Sequence, residues 1–143
     1  MVSHNNQNVL RISEGASMGL HAMVLLAGSK GNLLQTGKMA RQLGVSEAHL
    51  SKVMQRLAHA GLVGPRRGPK GGFALGPGGL DVTLLEVYEV IEGPLGEGHC
   101  ILGKTACGAS RCIMGELLVG VNKQFRDYLS GVRLAQLADV YRS

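Results

Sequence analysis

The chain has 143 residues, 45% of them hydrophobic, and a formal net charge of +5, which fits about one domain with a real core. It has no apolar run of the roughly 18 residues a membrane span needs, and its start, MVSHNNQNVLRIS, lacks the charged and apolar regions of a signal peptide. Three cysteines, an odd number, fit a reducing compartment better than a disulfide framework, so a cytoplasmic protein without a membrane partner is expected.

Charge divides the chain. Residues 1–70 carry nine Lys/Arg against two acids, net +7, and residues 71–143 carry six against eight, net −2. A surface for an acidic partner is therefore expected in the first half.

Residues 1–10 are polar and predict no element. A helix is predicted from about Ser13 to Ala27, capped by Ser13, with Ala16, Leu20, Met23, Val24 and Ala27 on its buried face. The run Gly28-Ser29-Lys30-Gly31-Asn32 stops it. His21, between Leu20 and Ala22, reads first as a packed histidine with a satisfied ring nitrogen; a ligand role needs partners from elsewhere in the chain.

From Thr36 to Leu75 the pattern is that of a helix-turn-helix followed by a wing. Thr36 is placed to cap a short helix carrying Met39, Ala40 and Leu43, closed by Gly44. After the turn Gly44-Val45-Ser46, Leu50, Val53, Met54 and Leu57 fall at i, i+3, i+4 and i+7 on a second helix capped by Ser46 and ended by Gly61. Its other face holds Ala48, Ser51, Lys52 and Gln55, with His49 at the margin. Small and hydrogen-bonding side chains near a helix N-terminus are what base-edge reading needs. Leu62-Val63 then begin a hairpin and Phe73-Ala74-Leu75 return it. Its loop sets Arg66, Arg67 and Lys70 among glycines and prolines, so the backbone can lie close to a phosphate strand while the cations neutralise it.

Gly76-Pro77-Gly78-Gly79 makes a joint. Thr83-Leu84-Leu85-Glu86 is a capping box opening a helix whose apolar face is Leu84, Val87, Tyr88 and Ile91. Gly93-Pro94 stops it, and Glu86, Glu89 and Glu92 read as a solvated face rather than catalytic carboxylates. Residues 93–112, GPLGEGHCILGKTACGASRC, have no periodicity and hold Cys100, Cys107 and Cys112. Three thiols on one glycine-rich loop can converge on one centre, and zinc and iron–sulfur clusters both accept thiolates. The paired C-x-x-C spacing and the fourth cysteine of a closed zinc site are missing; free thiols are the bland alternative. A long helix is predicted from about Cys112 to Leu129, with Ile113, Leu117, Val121, Phe125 and Leu129 on a broad apolar face. That face exceeds what the chain's own core needs and suggests self-association. Ser130-Gly131 break it, and Leu134, Leu137 and Val140 mark a terminal amphipathic helix.

The expected fold is mainly α with a small β-hairpin wing: a winged helix-turn-helix at 11–80, then a sensor loop at 93–112 and dimerisation helices within 81–143. In this order of elements the chain resembles the Rrf2 family of bacterial winged-helix regulators, from Arg11 to Val140. The most specific pieces are Arg67-Gly68-Pro69-Lys70-Gly71-Gly72-Phe73 in the wing, Val45-Ser46 with Leu50 and Leu57 in the second helix, and the three cysteines. The resemblance implies a homodimer formed through the long helix. It implies a palindromic double-stranded operator, with recognition helices in the major groove and wings in the minor groove. It also implies a 2Fe–2S or 4Fe–4S cluster on Cys100, Cys107 and Cys112, sensing iron–sulfur, redox or nitric-oxide status.

This chain departs from the family pattern in two respects. The family's commonest spacing leaves five residues between successive cysteines, whereas six and then four lie between them here. A histidine ligand three residues past the last cysteine would fall at Gly115, and an aspartate ligand of the first helix at Ser17. A first-helix histidine, used in a further variant, matches His21; His99 and Glu116 are the other fourth-ligand candidates.

Two other regulators or carriers remain compatible: a cluster-free member of the same fold sensing by thiol oxidation at Cys112 or through a protein partner, and an iron–sulfur electron carrier, which the basic wing argues against. No nucleophile, base and orienting group stand together as an enzyme requires, so no enzyme is expected.

Overall fold

A computed structural model of the chain describes residues 9–66, 71–96, 100–102 and 107–141. Helix α1 spans Glu14–Gly28, α2 Thr36–Leu43, α3 Glu47–His59, α4 Leu84–Glu92 and α5 Leu117–Gly131; strands β1, Val63–Arg66, and β2, Gly72–Leu75, form an antiparallel hairpin. Short 3₁₀ turns lie at Gly79–Asp81 and Leu134–Leu137. This is a winged helix-turn-helix followed by a long helix, as the periodicity predicts. No described helix is long and apolar enough to cross a membrane.

The caps explain most of the boundaries. Ser13 Oγ accepts the N–H of Ala16 at 3.1 Å and starts α1. Ser46 Oγ accepts the N–H of His49 at 3.2 Å and starts α3. Thr83 and Glu86 make the reciprocal capping box of α4, at 3.2 and 3.0 Å. Gly61, at φ +82°, follows α3, and the N–H groups of Gly61 and Leu62 return to the carbonyls of Ala58 and Leu57. That is the Schellman arrangement, which needs a left-handed residue at this place. One predicted cap fails: α2 is preceded by Gln35, without a side-chain cap, and Thr36 is already its first helical residue. The residue before α2 is instead tied into the wing, since Leu34 bridges Phe73 with two 2.9 Å backbone hydrogen bonds.

Helix α1 is the centre of the fold rather than a one-faced helix. Met18, Gly19, Ala22, Leu25 and Leu26 are buried besides Ala16, Met23, Val24 and Ala27, while Leu20 is only half-buried. The reason is small side chains on the faces that a stripe reading leaves outside. A Cβ on Gly19 would stand 3.4 Å from both Val53 of α3 and Ile91 of α4, so glycine there lets two helices close on α1. The chain's end closes the other side: Leu84 N–H donates to Val132 O, Leu134 N–H to Val82 O, and Leu134 is fully buried.

Three further expectations are corrected. The long helix starts at Leu117, not Cys112, because 113–116 form a turn with Gly115 at φ +60°. The terminal element is a single 3₁₀ turn, with Val140 outside it and exposed. The glutamates of α4 are not merely solvated: Glu86 caps the helix, Glu89 accepts the N–H of Leu95 at 2.7 Å, and Glu92 accepts the hydroxyl of Ser13.

Candidate functional site

Helix α3 divides as the spacing predicts. Leu50, Val53, Met54 and Leu57 are buried, while Ser46, Ala48, His49, Lys52 and Gln55 are exposed and Ser51 is half-buried. Ser46 caps the exposed N-terminal turn of α3, and Gly44 at φ +69° sets the turn between α2 and α3. The exposed face of α3 is thus a consequence of a buried stripe on one side and two local turns.

The wing stands beside it. β1 pairs with β2 in the register Pro65 to Phe73 and Arg66 to Gly72, and Arg66 is exposed. Arg67 and Lys70 lie outside the described residues. Gly72 is required by close approach: a Cβ there would lie 2.5 Å from the carbonyl oxygen of Leu34. Gly72→Ala is expected to break the Leu34–Phe73 bridge and to destabilise the protein by about 1–3 kcal/mol, the usual cost of overpacking. A thermal melt unchanged from the parent would show that the wing does not depend on this contact.

Between α2 and the wing lies a cleft of about 520 Å³, lined by Thr36, Lys38, Arg41, Glu47 and Arg66 among others. Lys38 and Arg41 are exposed and sit one turn apart on α2. Sequence reasoning counted them in the basic half but gave them no place. Their i, i+3 spacing opposite the buried Met39 and Ala40 was the available signal. Among the described residues the one ion pair is Lys123–Asp127, at 2.6 Å, so none of these cations is neutralised by a described carboxylate. Glu47 is the acid in the cleft, its carboxylate over Gly37 at the uncapped start of α2, where the helix dipole favours a negative charge.

The cysteines are less ordered by the fold. Cys100 is half-buried, Cys107 and Cys112 are exposed, and all three are free of disulfides. Cys112 lies five residues ahead of α5 rather than at its N-terminus, and its Sγ accepts the N–H of Met114 at 3.4 Å. No group of three His, Cys, Asp or Glu able to hold a metal ion is found among the described residues. By chemistry the donor set still fits a cluster: three thiols on one irregular stretch, none sealed in the core.

The fourth-ligand candidates separate. His99 lies outside the described residues. Glu116 is exposed and precedes α5 without making a cap. His21 is exposed on α1, not packed, and its Nδ1 lies 2.6 Å from the carbonyl oxygen of Ser17. A carbonyl oxygen only accepts, so Nδ1 is the donor in that contact and Nε2 is the nitrogen available to a further partner, the arrangement that metal-bound histidines usually have.

Helix α5 leaves apolar surface uncovered. Leu117, Val119, Val121 and Tyr128 are exposed, as is Ile113 before it, and only Leu129 is buried. It meets the body through Leu129 in the core, through Arg126 at the carbonyls of Leu95 and Gly96, and through Phe125, edge-on to Tyr88 of α4 at 5.3 Å.

Comparison with known proteins agrees with this architecture. The family model described as Rrf2, iron-dependent transcriptional regulator, matches residues 12–140. The transcriptional regulator IscR of Vibrio cholerae is 26% identical over 130 residues, covering 90% of this chain and 75% of its own. Among solved structures, CymR, the global cysteine regulator of B. subtilis, superposes with a TM-score of 0.75 at 27% identity, over 92% of this chain and 98% of its own. IscR of T. potens does so with a TM-score of 0.68 at 25% identity, over 92% and 89%.

Proposed function

Since this chain belongs to the Rrf2 family of transcriptional regulators, and so is a DNA-binding regulator rather than an enzyme, we propose that it binds a palindromic operator as a homodimer and reports the state of its cysteine loop. The observation that carries the DNA part is the set of exposed cations around one reading helix: Lys52 on α3, Arg66 on β1, and Lys38 and Arg41 across the cleft. In this reading Ala48, His49, Ser51, Lys52 and Gln55 enter the major groove, with Ser46 at the helix head. Arg66, Arg67 and Lys70 follow a phosphate strand at the minor groove, while Lys38 and Arg41 grip the adjoining backbone. The exposed apolar side of α5 supports pairing of two copies along that helix. Residues 11–80 then read DNA, and 81–143 sense and dimerise, in the cytoplasm.

For the signal, Cys100, Cys107 and Cys112 hold an iron–sulfur cluster, 2Fe–2S or 4Fe–4S, with His21 as the favoured fourth donor through its Nε2. When bound, such a group supplies one-electron redox chemistry and an assembly state that follows iron and oxidant supply. The chain's own part is to let the loop change packing between α4 and α5, and so to move the two reading heads against each other. A few kcal/mol suffices, since about 1.4 kcal/mol is tenfold in affinity. The test is iron and acid-labile sulfide content, with the visible spectrum, on protein purified without oxygen. Stoichiometric iron and sulfide with charge-transfer bands is the expected result; a colourless protein that also resists reconstitution would reject the cluster.

A second reading is favoured by one observation. Cys107 and Cys112 stand open to solvent, Cys112 with a backbone N–H on its sulfur, which suits a regulator that senses by thiol oxidation without any metal. In that case peroxide, and not iron loading, changes operator affinity.

A further inference from the structure

The C-terminal end of α4 is held by three residues distant in sequence, Arg56, Arg126 and Ser13, and by one local contact. Arg56 of α3 donates from Nη2 to the carbonyl of Ile91 at 2.8 Å and to that of Val90 at 3.2 Å. Arg126 of α5 donates from Nη2 to the carbonyls of Leu95 and Gly96. Glu89 accepts the N–H of Leu95, and Ser13, the cap of α1, donates to Glu92. Val90 and Ile91 lie in the last turn of α4, where carbonyls have no partner within the helix and the dipole favours a cation. Arg56 meets both needs, so its guanidinium is turned towards α4 although it shares a helix with the DNA-reading Lys52 and Gln55.

We propose that Arg56 and Arg126 are a pair of positioning residues: acting on the same stretch of backbone, Val90 to Gly96, they set the angle of the recognition helix α3 against α5. That stretch is also where the cysteine loop begins, immediately after Gly93 at φ +87°. Any rearrangement of the loop pulls first on Leu95 and Gly96. It reaches α3 through the Arg56 hydrogen bonds, and α5 through Arg126. The core contacts of α3, through Leu50, Val53, Met54 and Leu57, are apolar and non-directional, whereas the Arg56 contacts have direction and can set an angle. The operator readout of this inference rests on the DNA-binding reading above; its exchange readout does not.

The test is a double-mutant cycle on Arg56→Gln and Arg126→Gln, using a duplex selected by the parent protein from a random pool. Each single variant is expected to weaken binding on the order of tenfold, the usual size of a coupling between sites. The double variant should be no weaker than the weaker single, because both break one connection. The slope of log K against log salt should stay at the parent value, since neither side chain touches phosphate. Additive losses, no loss in Arg126→Gln, or a slope reduced in Arg56→Gln would overturn the pair, as would loss of the dimer in Arg126→Gln measured by sedimentation. Should Arg56→Gln melt below the assay temperature, Arg56→Lys, which keeps the charge but loses the planar guanidinium fork, takes its place in the cycle. Amide hydrogen exchange needs no DNA: in Arg126→Gln the amides of Gly93 and Leu95 and those in the last turn of α3 should exchange faster. Unchanged exchange in α3 would refute the connection. If the parent selects no duplex, the DNA reading fails while the exchange experiment still decides the pair.

Discussion

Cys107→Ala is expected to reduce iron and acid-labile sulfide to background in protein purified without oxygen. Cys107 is one of three thiols proposed to hold the cluster, and it is exposed, without a packing role in the described structure. Its removal therefore tests ligation rather than folding. Two thiolates and a histidine leave an iron centre short of the thiolate set that holds these clusters. The shifted middle cysteine, with six residues between it and Cys100 and four between it and Cys112, makes this variant the most informative of the three. A protein that retained full iron and sulfide would show that Cys107 is not a ligand. The melting temperature should stay near the parent value, because no core contact is lost.

Lys52→Ala should weaken operator binding by about tenfold per protomer and leave iron content unchanged. The side chain is exposed on α3 beside Gln55 and opposite the buried stripe, with no described carboxylate to neutralise it. A cation that meets a phosphate lowers the salt slope by about 0.9 when removed, and one that meets a base edge costs about 1–3 kcal/mol on the correct sequence only. The same titration therefore separates the two roles. Arg67→Ala, in the wing loop, is expected to act through phosphate alone, weakening all duplexes alike. Equal affinity of parent and variants would remove these residues from the interface.

Some of this was legible from local chemistry. The caps at Ser13, Ser46 and Thr83, the left-handed glycines 44, 61 and 93, and the buried stripe of α3 all act within four or five residues. Hydrogen bonds of that reach depend on side-chain type and spacing, which a sequence displays directly. Thr36 failed as a cap for a non-local reason, because the strand bridge at Leu34 leads straight into α2. The start of α5 was misplaced because an apolar period continues through Ile113 while Gly115, in the left-handed region, breaks the helix. The cysteines could be read only as possible ligands, because their spacing carries no information about convergence in a loop without a period.

By itself the sequence determined the order of elements, the buried and exposed faces of α3, the basic first half and the thiol-rich loop, since each follows from periodicity, capping or composition. Only the tertiary structure decided that α1 is buried on nearly every side, that Lys38 and Arg41 line one cleft with Arg66, that His21 is exposed with Nδ1 on the Ser17 carbonyl, and that Arg56 and Arg126 meet on the end of α4. The partners of those arginines lie 35 and 31 residues away. At such separations a contact depends on how helices pack against Gly19 and its neighbours, a balance of volumes and approach distances that no local pattern records.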